Sequence, residues 1–325
     1  MTTIKDVAKR AGVGVGTASR VLSGNGSSSA AAKAAVETAA QELRFVANGS
    51  ARALRRARTD VLGLLISDIR NPFFADLAHG AEQEALEAGY TILLANVDED
   101  PVQEQRYLTA FASQRVDGML IAPQGHDSRA LKELVESERP LVFVDRTLDG
   151  LEVPSVTSDN AGGVRSAVAH LMAKGHRSIA YISGPSTVSS STERLVAFRA
   201  ACVDAGIDLD DRLIAEGDYR ASSGQVALAS ILDSGLAPTA LLTADGLMTL
   251  GALDELQRRG GPRLEMVSFD DAPWFAHVRP PVSAVVNDAD EIGRRGVRTL
   301  LDLIEGEVGQ SSRVPTRFIA RGAVS

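Results

Sequence analysis

The sequence predicts an α/β protein in two parts, a small all-α headpiece followed by a larger body of parallel sheets in two similar units. Three observations carry this. The first sixty residues hold ten Lys and Arg against four Asp and Glu, whereas the remaining 265 hold 24 against 38. The opening segment has helical apolar spacing throughout. From Val61 onward, short apolar runs alternate with longer helical patterns, the signature of strands covered by helices on both faces.

In the head, Ile4, Val7, Ala8 and Ala11 fall on one helical stripe, and Thr3 with Asp6 forms a capping box with a shortened acid. Gly12-Val13-Gly14 breaks that helix. A second begins near Val15, with Ala18, Val21 and Leu22 inward and Thr17, Ser19 and Arg20 outward. Ser29 is a good N-cap for a third, in which Val36, Ala39, Ala40 and Leu43 repeat the apolar spacing. Two short helices joined by a glycine turn make a helix-turn-helix, and a basic one has an electrostatic reason to meet DNA. Reading Gly12-Val13-Gly14-Val15-Gly16 as a dinucleotide-binding loop fails, because no strand precedes it and the last glycine of that fingerprint is Ser19.

In the body the predicted strands are Val61 to Ile66, Thr91 to Ala95, Met119 to Ala122, Leu141 to Val144, Ile179 to Ile182, Ala240 to Thr243 and Met266 to Phe269. Helices are expected at Phe74 to Ala88, Val102 to Arg115, Ala161 to Lys174, Thr192 to Ala205 and Asp290 to Glu305. The boundaries become 1–46 for the headpiece, 47–60 for a hinge and linker, and 61–325 for the body.

Composition narrows the function. The lone Cys202 excludes an intramolecular disulfide, and the five histidines lack metal-ligand spacing. Lys5, Asp6, Lys9 and Arg10 interrupt any signal-peptide core, and no run of about eighteen apolar residues occurs, so a cytoplasmic location without a membrane partner is expected. A Walker loop and a nucleophile elbow are missing, which counts against an enzyme of sugar metabolism. No catalytic residue, metal or cofactor is expected.

The run from Thr3 to Leu22, with Asp6-Val7-Ala8, Ala11-Gly12-Val13 and Thr17-Ala18-Ser19-Arg20-Val21-Leu22, resembles the headpiece of the lactose-repressor (LacI/GalR) family of transcription regulators. Asn48-Gly49-Ser50-Ala51-Arg52-Ala53-Leu54 is similar to that family's hinge, which folds into a helix on operator DNA and wedges a leucine into the minor groove. Leu54 stands at the wedge position, among Arg52, Arg55, Arg56 and Arg58. The resemblance implies DNA contacts from Thr3, Val15, Gly16, Thr17, Ser19, Arg20 and Ser29, and from Asn48, Ala51, Leu54 and Arg55 in the hinge. Three departures matter. Gly14 replaces the usual serine, Ala47 replaces the proline before the hinge, and Val15-Gly16 offers no hydrogen-bonding side chain where base-reading groups often stand. Arg20 is therefore the main candidate for a guanine contact.

The body resembles the sugar-binding module that this family shares with the ribose-type periplasmic binding proteins, over nearly all of 61–322. The resemblance implies two lobes joined by three crossings, expected near Asn160, Asp288 and Ile319. Lobe 1 then spans about 61–159 and 288–318, and lobe 2 about 160–287 and 319–325, with the ligand between them at the strands' carboxyl ends. Residues there suit a sugar. Asn71, Phe73 and Phe74 supply an amide and two flat faces, and Asp145-Arg146 pairs an acceptor with a donor. Arg194 follows a serine-rich loop, Phe269-Asp270 ends a strand, Asn287 stands where a glutamine is usual, and Asp245 follows Ala244, which replaces a sugar-binding asparagine. Trp274 either covers the cleft mouth or packs in its loop. Taken singly, each has an ordinary reading: a turn, a core pair or a surface ion pair.

Together these point to a regulator, of the repressing kind, whose affinity for a pseudo-palindromic double-stranded operator is set by a monosaccharide or derivative bound between the lobes. A homodimer is expected.

Overall fold

A computed structural model describes residues 2–23, 28–45, 58–125, 128–260 and 264–321. The chain forms two compact units, Met1–Thr59 and Asp60–Ser325.

The first unit holds α1 (Ile4–Ala11), α2 (Val15–Ser23) and α3 (Ala30–Glu42). The capping box at α1 is reciprocal: Thr3 N donates to Asp6 Oδ2 at 2.8 Å and Asp6 N donates to Thr3 Oγ1 at 3.4 Å. Gly12 ends α1 at φ 68°, a conformation that glycine adopts without a Cβ penalty. The Gly14 carbonyl then accepts from Thr17 N and Ala18 N and starts α2. Ser29 caps α3, its hydroxyl accepting from Ala32 N at 3.2 Å. Val7, Ala8, Ala18, Val36 and Ala39 close the small core. The expected hinge contacts Asn48, Ala51, Leu54 and Arg55 lie outside the described residues.

In the second unit, lobe 1 runs through β1 (Val61–Ile66), α4 (Pro72–Glu87), β2 (Thr91–Asn96), α5 (Pro101–Gln114), β3 (Gly118–Ile121), α6 (Arg129–Glu136), β4 (Leu141–Val144) and β5 (Ser155–Ser158). Lobe 2 continues with α7 (Asn160–Ala173), β6 (Ile179–Ser183), α8 (Ser189–Asp204), β7 (Ile214–Glu216), α9 (Ala221–Asp233), β8 (Ala240–Thr243), α10 (Gly246–Arg259), β9 (Glu265–Phe269) and β10 (Ser283–Val286). The chain returns to lobe 1 for α11 (Ala289–Ile304) and β11 (Ser312–Val314), then ends in lobe 2 with β12 (Arg317–Ile319).

The sheets have orders β11-β5-β4-β3-β1-β2 and β12-β10-β9-β8-β6-β7. Neighbouring strands are parallel except β10 and β12. Because helices cover both faces, adjacent strand residues enter different cores: Leu62, Leu64 and Ile66 pack on one face of the first sheet and Leu65 on the other. Where α4 crosses α11, a Cβ on Gly80 would lie 2.1 Å from the Asp290 carbonyl oxygen, so glycine sets the closeness of that crossing.

The chain passes between lobes after Ser158, after Val286 and between Val314 and Arg317. The third crossing corrects the expectation of Ile319. That residue already sits in the second sheet, opposite Ala284, because the short β12 pairs with the edge of β10 as soon as the chain arrives.

Candidate functional site

In the head, α2 exposes Val15, Gly16 and Arg20, while Thr17 and Ser19 are half-buried. Arg20 Nε donates to the Gly16 carbonyl at 3.3 Å, which lays the guanidinium along the helix's outer face. Thr3 and Ser29 are exposed at the N-termini of α1 and α3, where backbone N–H groups favour phosphate. Such a face fits backbone anchoring by helix ends and base contact by one arginine.

In the body, eight of the expected effector residues line one cavity between the lobes: Asn71, Phe73, Phe74, Asp145, Arg146, Arg194, Asp245 and Asp270. All lie beyond the carboxyl ends of strands. Asn71 caps α4, accepting from Phe73 N, and its Nδ2 donates across the cleft to Asp245 Oδ2 at 3.2 Å. Asp245 in turn caps α10 by accepting from Met248 N at 2.8 Å. Phe73 and Phe74 stand edge to face, with ring centroids 5.1 Å apart. About 10 Å³ of space remains among these side chains, room for about one water, so a larger ligand requires the lobes to part.

Two expected residues do not line the cavity. Phe269 lies beneath Arg194, whose guanidinium stands 3.8 Å from the ring centroid, and so positions the arginine. Asn287 leaves the wall because its Oδ1 accepts from Ser158 Oγ between two of the crossings. Arg146 is also more constrained than a free donor, since both terminal nitrogens are held by Glu99 at 2.9 Å. Its guanidinium sits 5.6 Å from the Phe74 centroid and 5.2 Å from that of Tyr219. Trp274 packs edge-on against Phe275 and is not part of the lining.

Sequence reasoning missed Tyr219 and Ser190 in the lining and Glu99 behind it. Tyr219 follows β7, too short to stand out as a strand. Ser190 sits in the first turn of α8, which starts three residues before the expected Thr192. Glu99 is in a turn after β2, with φ 56°.

The electrostatics are those of buried charge. Burial pushes Asp245 up to about 7 and Asp270 to about 6; Arg194 opposes the rise at both, and Asp270 in turn adds to that at Asp245. Burial also raises Asp145, against Arg146 and Arg194. At Arg146 burial pulls down, but Glu99 and Asp145 outweigh it and keep the guanidinium charged. Asp145, Tyr219 and Asp270 hold left-handed φ values of 65°, 65° and 67°, strain that tends to collect at binding sites. Arg146 Nε, Tyr219 Oη and Asp270 Oδ1 are buried without a hydrogen-bond partner among the described residues, as is Asn287 Nδ2. The Asn287 amide lies near enough to Asp270 to work against its rise, although neither atom completes a hydrogen bond.

Among the described residues, no cluster of three or more His, Cys, Asp or Glu could hold a metal ion. Nor is any helix there long and apolar enough to cross a membrane.

Comparison with known proteins agrees with both halves. Residues 3–48 match the bacterial regulatory proteins of the lacI family, and residues 59–322 match the periplasmic binding proteins and sugar binding domain of LacI family. The HTH-type transcriptional regulator CelR of Thermobifida fusca is 35% identical, over 96% of this chain and 94% of its own. The CelR–cellobiose complex superposes with a TM-score of 0.75 at 33% identity, covering 99% of both chains. The lac repressor dimer bound to operator and the anti-inducer ONPF gives 0.87 at 26% identity, over 99% of this chain and 98% of that one. With both domain types matched in order and nearly the full length aligned, the chain belongs to the LacI family of bacterial transcriptional regulators, a family of regulators and not of enzymes.

Proposed function

We propose that the protein is a repressor that binds a pseudo-palindromic operator as a homodimer in the cytoplasm, and that a small sugar or sugar-like effector in the interlobe cavity sets its operator affinity. The observation that carries the effector half is the set of three buried polar atoms on the lining that complete no hydrogen bond: Tyr219 Oη, Asp270 Oδ1 and Arg146 Nε, the last with only the Asp145 carboxylate 3.3 Å away. Buried groups of this kind ordinarily find partners, and vicinal hydroxyls supply both donors and acceptors. Phe73 and Phe74 offer apolar faces for the ring's C–H groups.

The DNA half rests on the head. Arg20 reads a guanine edge in the major groove, Val15 touches a thymine methyl, and Thr3, Gly16, Thr17, Ser19 and Ser29 position the helix on phosphates. Asn48, Ala51 and Arg55 anchor the hinge while Leu54 wedges the minor groove. The halves couple because three crossings let the lobes rearrange, and a sugar that touches both lobes favours one arrangement. The supporting relatives are a regulator solved with cellobiose and a repressor dimer solved on operator.

The test is selection of binding sites from a random duplex pool, followed by titration of the selected site with a sugar panel. An enriched inverted repeat whose affinity one sugar changes at least about fivefold supports the reading. A pool that stays random, or an affinity that no sugar moves, contradicts it.

A further inference from the structure

Resting on the sugar-binding reading above, we infer that the effector is a neutral sugar of more than one ring, or a glycoside, whose second group occupies a polar trough beside the inner cavity. The trough shares Asp145 and Ser190 with that cavity and offers about 340 Å³ against about 10 Å³ inside. Its lining is five serines, two threonines, two acids and one arginine, with no apolar side chain among the described residues. The inner cavity, by contrast, is walled by Phe73, Phe74 and Tyr219. One compartment thus suits the face of a ring, and the other a solvated, hydroxyl-bearing group.

Charge selects among such groups. Glu193 is held by Arg313 at 3.0 Å and by Asn160 Nδ2 at 2.8 Å, and Asp145 Oδ2 faces Arg146 Nε at 3.3 Å, so the cations beside the trough are already matched by carboxylates. A phosphate or carboxylate there meets arginines already engaged by carboxylates, whereas a hydroxyl finds acceptors and donors. The walls also belong to different lobes: Ser155, Thr157 and Ser312 to the first sheet, Ser189 and Ser190 to the N-terminus of α8. Thr147 N donates across to Ser189 Oγ at 2.8 Å, so a group in the trough sits where the lobes meet.

The experiment measures binding of cellobiose, maltose and lactose, of glucose and galactose, and of glucose 6-phosphate to the full-length protein by calorimetry. It is repeated with Ser311→Trp, which narrows the trough from an exposed position, and with Thr147→Phe as a second obstruction. One disaccharide is expected to bind at least about tenfold tighter than either monosaccharide or the phosphate. Each substitution should lower the disaccharide-to-monosaccharide affinity ratio by about tenfold or more. A monosaccharide or the phosphate binding as tightly as every disaccharide, or a ratio that both substitutions leave alone, overturns the inference while the sugar-binding reading stands. Should none of these compounds bind, both fall.

Discussion

Asn71 and Asp245, 174 residues apart, cap helices in opposite lobes and hydrogen-bond to each other across the cleft at 3.2 Å. Each side chain uses one oxygen for its own helix, which fixes its direction, and turns its other polar atom toward the facing lobe. A ligand entering between the lobes must replace this bond, so the pair reports on the arrangement that the effector controls.

Asn71→Asp keeps the helix cap but sets a carboxylate against Asp245. Sugar affinity should fall by roughly tenfold at pH 8, where both are ionised, and recover in part near pH 5.5 as Asp245, whose pKa lies at about 7, takes up a proton. Calorimetry at the two pH values checks this; equal losses at both would show that the facing charges do not matter.

Asp270 sets a pH dependence of stability. Its pKa in the folded protein is about 6, raised by burial above the ordinary 3.8, so the folded state binds the extra proton between those values. Stability from this group is full below about pH 4 and is lost as pH rises through 6. Asn is tolerated at left-handed φ, so Asp270→Asn should stabilise the protein at pH 8 by on the order of 2–3 kcal/mol and flatten the slope between pH 4 and 6. Denaturant titrations across that range test it, and an unchanged slope refutes the assignment.

Much of this was legible in the sequence because periodicity is local. The head's apolar stripes, the Thr3 and Ser29 caps and seven short apolar strand runs, five of them buried at every residue, all announce themselves in windows of a few residues. The strand-end rule then brought Asn71, Asp145, Arg194 and Asp270 to one cavity. What stayed hidden depends on partners far along the chain. Glu99 meets Arg146 only through tertiary folding, and Asn287 is drawn to Ser158 across 129 residues. Tyr219 follows a three-residue strand that has no periodicity to read.

The Glu99–Arg146 pair is a buried, bidentate ion pair, with the arginine 3% exposed. Glu99→Gln leaves that guanidinium without its main countercharge and should destabilise the body by about 3 kcal/mol. Thermal unfolding checks this; a melting temperature within 1–2 °C of wild type, roughly 0.5 kcal/mol, would mean that solvent or Asp145 compensates.

In the head, Arg20→Ala should weaken binding to the selected operator by about 1–3 kcal/mol per half-site and relax preference at one base pair. Gel shifts on the operator and on single-base variants decide it. An unchanged preference would remove Arg20 from base reading.

The central claim is that the sugar in the cavity controls DNA binding, and Asp270→Ala addresses it most directly, because Asp270 lines the cavity in lobe 2 and belongs to a different compact unit from the head. Wild type and variant are titrated with the effector found by the panel while anisotropy of a labelled operator is followed. The account predicts equal operator affinity without sugar and a response in the variant shifted to at least about tenfold higher sugar concentration, or abolished. A variant that responds at the wild-type concentration with the wild-type amplitude contradicts it.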